Sequence, residues 1–208
     1  MAIERAPVVG GNSITAAPQA SQGQGRPGAA QATKQTGMGR DTLNLTILGT
    51  TDVHGHIFPT NYFHDQGNEP FGLARVSTLV KQIRAQKEHT LLVDSGDALE
   101  GTPLLRFNAE VDKQLPNPMI AAMNAMKYDV FAVGNHEYNF GLDYLQKARD
   151  EAHFPFLSGN VFKAGTKDPI YTPYVIKDVE GAKIAFLGFH PRRCHLGRRQ
   201  GKRQAGFR

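Results

Sequence analysis

The chain has 208 residues, enough for one domain with a sizeable core. It lacks the apolar run of about 18 residues that a membrane-spanning helix needs, and its single cysteine, Cys194, excludes an internal disulfide framework. The net charge of +5 is unevenly placed: residues 1–40 hold four Lys/Arg and one acid, residues 190–208 hold seven Lys/Arg and no acid, and 41–189 hold 13 basic and 18 acidic residues. A nucleic-acid partner would have to rest on the two ends alone, and a tail with one aromatic residue, Phe207, argues against it.

Residues 1–40, rich in Gly, Ala, Gln and Pro, show no hydrophobic periodicity and read as a disordered leader; no apolar stretch of a secretory signal follows Arg5. Order begins with a predicted strand from Leu43 to Leu48, ended by Gly49 and a polar loop from Thr51. Leu73, Val76, Leu79, Val80 and Ile83 recur at helical spacing. Thr90-Leu91-Leu92-Val93 predicts a buried strand stopped by Asp94-Ser95-Gly96-Asp97. Asn117-Pro118 fits an N-cap with proline at the first helical position, opening a helix that carries Met119, Ile120, Met123 and Met126. A third strand, Val130 to Val133, is stopped by Gly134-Asn135-His136-Glu137. A helix from about Leu142 to Ala152, a short strand at Phe156-Leu157, and a hairpin of Tyr174–Asp178 and Lys183–Phe189 around Glu180-Gly181 complete the pattern. The alternation predicts an α/β fold, a largely parallel sheet with covering helices.

Three successive strands end in loops loaded with Asp, His or Asn, and in open α/β sheets ligands collect at the carboxyl ends of strands. Asp52-Val53-His54 places a carboxylate and an imidazole two residues apart; in an extended or strand-end segment both would point to one side and reach one cation. Asp97 offers two oxygens and could bridge two metals, Asn135 offers a neutral oxygen, and His136 beside it could give a proton. Mixed oxygen and nitrogen donors suit Mn, Zn, Fe or Co. Two such ions about 3.5–4 Å apart neutralise charge growing on a phosphoryl group. Each piece has a plainer reading: a Gly-Asp after a strand is commonly a turn. His56 and His64 fall in a long loop at the mouth of the site, and His89 and His153 lie near helix C-termini, where a dipole interaction accounts for them.

Together, Thr51-Asp52-Val53-His54-Gly55, Asp94-Ser95-Gly96-Asp97-Ala98-Leu99-Glu100-Gly101-Thr102-Pro103 and Gly134-Asn135-His136-Glu137 resemble the first three signature blocks of the calcineurin-like metallophosphoesterases. More narrowly they resemble the bacterial 5′-nucleotidase and 2′,3′-cyclic-nucleotide phosphodiesterase family, from about Leu43 to Phe189. Phe71-Gly72-Leu73-Ala74-Arg75, the stretch Glu137 to Leu145 with Asn139 where plain 5′-nucleotidases usually carry Asp, and Tyr171 to Asp178 are more similar to the 2′,3′-cyclic-nucleotide 2′-phosphodiesterase/3′-nucleotidase branch. The resemblance implies a β-sandwich flanked by helices, two divalent metal ions, and hydrolysis of nucleotide or other phosphate esters. It implies that Asp52 and His54 bind the first metal, that Asp97 bridges, and that Asn135 binds the second metal and touches the phosphate. His136 would be the catalytic, substrate-contacting histidine, and Asp94 would bond to a metal-bound histidine. The family works mostly in the periplasm or outside the cell, whereas no export signal is visible here.

The resemblance also implies later Gly-His and Gly-His-x-His blocks and a C-terminal base-binding domain, none of which this sequence contains. After Phe189 the basic stretch 190–208 is unlike the family, and a frameshift near codon 190 is the expectation that accounts for it. Residues 41–189 are then expected to form the first lobe of a two-lobed sandwich, with an open strand edge, exposed apolar surface, weak metal affinity and little or no activity. The alternative is a non-catalytic relic. Oligomeric state is not legible in the residues.

Overall fold

The computed structural model describes residues 42–190 and the backbone of 205–207. The expected leader at 1–40 and most of the basic tail lie outside the described residues. In chain order the elements are β1 (Leu45–Thr50), β2 (Thr60–Asn61), β3 (Gln66–Gly67), α1 (Leu73–Gln86), β4 (His89–Asp94), α2 (Pro103–Glu110), α3 (Pro118–Met126) and β5 (Val130–Ala132). A 3-10 turn (His136–Tyr138), α4 (Leu142–Glu151), β6 (Phe156–Leu157), β7 (Val161–Lys163), β8 (Tyr174–Val179), β9 (Ala182–Leu187) and β10 (Ala205–Phe207) follow.

The expected parallel sheet is present, in the order β1-β4-β5-β6. Consecutive residues Leu91 and Leu92 of β4 are both buried, as befits a parallel strand covered on both faces. The core gathers Leu92 and Phe131 from the sheet with Leu73, Leu105, Met119, Ile120, Met123 and Leu145 from the helices. Each such side chain contributes roughly 1.5–3 kcal/mol on burial. Register sets the site: Thr50 stands opposite Asp94, and Asp94 opposite Phe131, so the carboxyl ends of β1, β4 and β5 lie on one rim.

Local chemistry explains the helix ends. The Asn117 side chain accepts the N–H groups of Met119 and Ile120 at 3.0 and 3.1 Å, with Pro118 at the first position, as the sequence predicts. At the other end of α3, Arg84 of α1 donates to the carbonyls of Met126 and Lys127 at 2.6 and 2.9 Å, placing a cation at the negative pole of the helix. Helix α2 is not foreseen by periodicity because it is only eight residues long; its start, Thr102-Pro103, is a cap signal inside the second motif.

Two expectations about exposed surface hold among the described residues. Strand β1 ends the sheet with an unpaired outer edge, and Ile47 on it is 52% exposed. The β8–β9 hairpin leaves Tyr174, Ile176 and Leu187 exposed. Lys177 ties the hairpin to Asp129 at 3.2 Å, and Asp129 accepts the backbone N–H of Leu92 on the central strand.

Candidate active site

The three polar loops are stitched together by backbone. Asp52 N–H donates to the Gly96 carbonyl at 3.0 Å, His54 N–H to Asp97 at 2.9 Å, and Gly55 N–H to Ala98 at 3.0 Å. Close approach at two glycines makes this possible. A Cβ on Gly96 would stand 2.5 Å from the Gly134 nitrogen, and one on Gly101 would stand 2.6 Å from the His54 carbonyl oxygen; both residues have positive φ, 103° and 119°.

Glu137 locks the second loop to the third. One of its oxygens accepts Ala98 N–H at 2.7 Å and Leu99 N–H at 3.2 Å, and the other accepts Asp97 N–H at 2.9 Å and Gly134 N–H at 2.8 Å. Asp97 returns the contact, its carboxylate accepting His136 N–H at 2.8 Å. Burial pushes the Glu137 carboxyl above the usual carboxylate range, and the N–H bonds from Asp97, Ala98 and Leu99 act against that.

This framework brings His54, Asp97 and His136 together: one ligand atom from each lies within 4.8 Å of the others. The rings of His54 and His136 meet edge to face, their centroids 5.0 Å apart. Asp52 adjoins the group, its carboxylate 3.8 Å from His54 Nε2, and it also accepts from the Thr51 hydroxyl. The expectation that Asp52 and His54 converge because their segment is extended needs correction. Both residues are left-handed, with φ of 51° and 46°, and Asp97 is too, at 60°. The backbone bonds to residues 96–98 coil the segment, and the two side chains meet across a tight loop. Non-glycine residues in this region are strained by about 1–3 kcal/mol each, and such strain concentrates where side chains must be aimed.

The other predicted residues fall as follows. Asn135, half-buried, leads into the 3-10 turn that starts at His136. Asp94 is buried and accepts from the Thr50 hydroxyl at 2.5 Å and the Gly96 N–H at 2.8 Å; among the described residues these, not a histidine, are its partners. His56 turns away from the group: its Nδ1 lies 3.1 Å from the Val53 carbonyl and its ring packs on Phe71, lining an apolar pocket of about 490 Å³ beside Asp52. The acids that hold the site escape sequence reasoning. His136 Nδ1 lies 2.8 Å from the Glu100 carboxylate, which also accepts from Asn139 Nδ2 at 3.0 Å. Glu100 and Glu137 stand inside motif blocks, but nothing in spacing alone distinguishes a buried brace from a surface acid. His190, at the head of the basic tail in sequence, is buried; it pairs with Asn160 through its N–H and carbonyl, and its Nε2 lies 3.2 Å from the Gly134 carbonyl.

Three strand ends converging on a His/Asp/His group agree with a comparison by sequence, in which the pattern of the calcineurin-like phosphoesterases matches residues 45–192. The chain belongs to the calcineurin-like phosphoesterase family. These proteins are metal-dependent hydrolases of phosphate esters, and the mixed α/β fold described above is theirs. The chain is 40% identical over 164 residues to a 2′,3′-cyclic-nucleotide 2′-phosphodiesterase/3′-nucleotidase of Haemophilus influenzae, covering 74% of this chain and 25% of that protein. It is 36% identical over 165 residues to a 5′-nucleotidase of Vibrio cholerae, covering 77% of this chain and 28% of that protein. The crystal structure of the calcineurin-like phosphoesterase YfkN from Bacillus subtilis superposes with a TM-score of 0.65 at 37% identity, over 71% of this chain and 48% of that one. The chain thus spans about a quarter of the length of the curated relatives named here. Among the described residues no helix is long and apolar enough to cross a membrane.

Proposed function

We propose that residues 41–189 carry part of a two-metal centre for hydrolysing nucleotide phosphate esters, of the 2′,3′-cyclic-nucleotide 2′-phosphodiesterase/3′-nucleotidase type. The observation that supports it best is the meeting of His54, Asp97 and His136 within 4.8 Å at three strand ends. The His54 imidazole and the Asp97 carboxylate, with Asp52 adjoining, form a mixed nitrogen and oxygen donor set that fits Mn, Zn, Fe or Co. Asp52 and His54 would hold one ion, Asp97 would be shared, and Asn135 would hold the other. Divalent ions there would neutralise the charge that develops on a phosphoryl group.

The chain's own residues do the rest. Asn135 and His136 leave β5 on the same turn, so an amide donor and an imidazole would reach phosphoryl oxygens from one side. His136 would give a proton to the departing ester oxygen. Glu137 and the backbone bonds between loops keep these groups in register without motion at the moment of reaction.

The test is equilibrium dialysis of the metal-free 208-residue chain against Mn²⁺, followed by assay on 2′,3′-cyclic, 3′- and 5′-nucleotides. The expected result is stoichiometric Mn²⁺ binding that Asp97→Ala or His54→Ala abolishes and His64→Ala does not. Turnover of any of these esters by this chain alone is expected to be slight or nil, because its residues supply only part of the centre. A chain that binds no stoichiometric Mn²⁺ is a relic, and the proposal falls.

A further inference from the structure

The parallel sheet has a fourth strand end, that of β6, whose loop Ser158-Gly159-Asn160 contributes none of the candidate ligands named above. The end of β9 is pressed against this loop. A Cβ on Gly188 would stand 2.5 Å from the Leu157 carbonyl oxygen, and the Gly159 N–H donates to the Gly188 carbonyl at 2.7 Å. Two residues further on, the Asn160 side chain holds the backbone of His190. Its Oδ1 accepts the His190 N–H at 2.7 Å and its Nδ2 donates to the His190 carbonyl at 2.6 Å. A side-chain amide offers acceptor and donor side by side, so it pairs with this backbone much as a neighbouring strand would.

His190 is thereby buried, 2% exposed, against the third polar loop. Its Nε2 lies 3.2 Å from the Gly134 carbonyl. A carbonyl only accepts, so the ring nitrogen donates here whether the ring is neutral or charged. The same ring meets Tyr138 edge to face, with centroids 5.6 Å apart. Gly134 and Tyr138 bracket the short segment that carries Asn135 and His136. Position 134 requires glycine, because a Cβ there would collide with the Asp97 carboxylate, and a glycine's backbone freedom has to be removed by its partners. Gly134 has them on both sides: its N–H is held by Glu137 at 2.8 Å and its carbonyl by His190.

We infer that His190 is a positioning residue for Asn135 and His136. With Asn160 behind it, it clamps both ends of segment 134–138 and fixes where the amide and the imidazole leave β5. The inference rests on the reading of those two residues as metal- and phosphate-facing groups, and it does not depend on the charge of any ring.

The clamp can be read with and without metal, in the full chain. His190→Phe keeps a ring beside Tyr138 and removes the donor, whereas His190→Gln keeps an N–H at the place of Nε2. Asn160→Ala leaves the ring intact and releases its backbone. In the metal-free chain, amide hydrogen exchange at Gly134 and His136 should be about tenfold faster in His190→Phe and Asn160→Ala, with exchange at Leu92 on the central strand unchanged. His190→Gln should stay within about threefold of wild type. Mn²⁺ affinity, by equilibrium dialysis at a temperature where every chain is folded, should fall about tenfold in the first two variants and recover in His190→Gln. Exchange at Gly134 and His136 that His190→Phe leaves unchanged overturns the inference. So does a rise shared equally by Leu92, which would mark His190 as packing alone. A wild-type chain that binds no stoichiometric Mn²⁺ while the exchange series holds counts against the metal-centre reading alone.

Discussion

Glu137 and Asp97 brace each other from opposite directions: the buried Glu137 carboxylate accepts the Asp97 N–H at 2.9 Å, while the Asp97 carboxylate accepts the N–H of His136 at 2.8 Å. A candidate metal ligand is thereby fixed at both its backbone and its side chain. Glu137→Gln tests this. An amide presents one oxygen where the carboxylate presents two, so two of the four N–H groups now bonded to Glu137 would be left unpaired in a buried place. Each unpaired group costs about 1–3 kcal/mol, so a loss of roughly 2–6 kcal/mol is expected in urea unfolding. Mn²⁺ affinity should fall about tenfold or more, since the loop carrying Asp97 loses its tether. Unchanged stability would show that the brace is dispensable.

Much of the framework is legible in the residues. The N-cap at Asn117, the strand at Thr90–Val93 and the helix from Leu73 each rest on chemistry local to a few neighbours, and they appear where those neighbours predict. Strand β1 starts and ends two residues later than its apolar pattern suggests, because pairing with β4 carries it on to Thr50 opposite Asp94. The meeting of the three loops is also foreshadowed, since each polar cluster follows a strand. What escapes is long-range: Glu137 accepting amides some 40 positions away, or Glu100 facing His136, leaves no periodicity behind. The left-handed turns at Asp52 and His54 escape for the same reason, being imposed by bonds to another loop.

Asp94 makes the fold sensitive to pH. Burial pushes its carboxyl up to about 7; the bonds from Thr50 and Gly96 pull it down, and the charges of Glu137 and Asp52 add to the rise. The folded chain therefore keeps a proton that the unfolded chain, with an ordinary value of about 3.9, gives up earlier. Stability from this group is present in full below about pH 4 and is lost as pH rises toward about 7, at no more than ~1.4 kcal/mol per pH unit. Asp94→Asn, measured by urea unfolding in EDTA from pH 4.5 to 7.5, should remove that fall relative to wild type. Parallel curves for the two chains would rule it out.

Gly96 and Gly165 separate contact from conformation. Both have positive φ, 103° and 77°, but a Cβ on Gly96 would meet the Gly134 nitrogen at 2.5 Å, whereas one on Gly165 would meet nothing within 4 Å. Gly165→Ala should cost about 1 kcal/mol, the strain of a left-handed alanine alone. Gly96→Ala should cost several times more, because the loops after β4 and β5 must part, and it should also weaken Mn²⁺ binding. Equal costs in thermal unfolding would mean that the loops are not held in contact.

Divalent metal should stabilise the fold through the same residues. Three candidate ligands, Asp52, His54 and Asp97, sit in left-handed backbone, and Asp52 and Asp97 bring negative charge to one rim. The folded chain pre-assembles the donors and bears this strain and repulsion without metal; an ion bound only by the folded state offsets both. At a free Mn²⁺ concentration 100 times its Kd the gain is about 2.7 kcal/mol, and a domain of this size responds by roughly 2–4 °C per kcal/mol. The melting temperature should therefore rise by about 5–10 °C on adding Mn²⁺ and return on adding EDTA. Mg²⁺ should raise it less, because it prefers oxygen to imidazole nitrogen. His54→Ala should abolish the rise, while His64→Ala should keep it. An equal response to Mn²⁺ and Mg²⁺ that survives His54→Ala would place the ion elsewhere on the acidic surface.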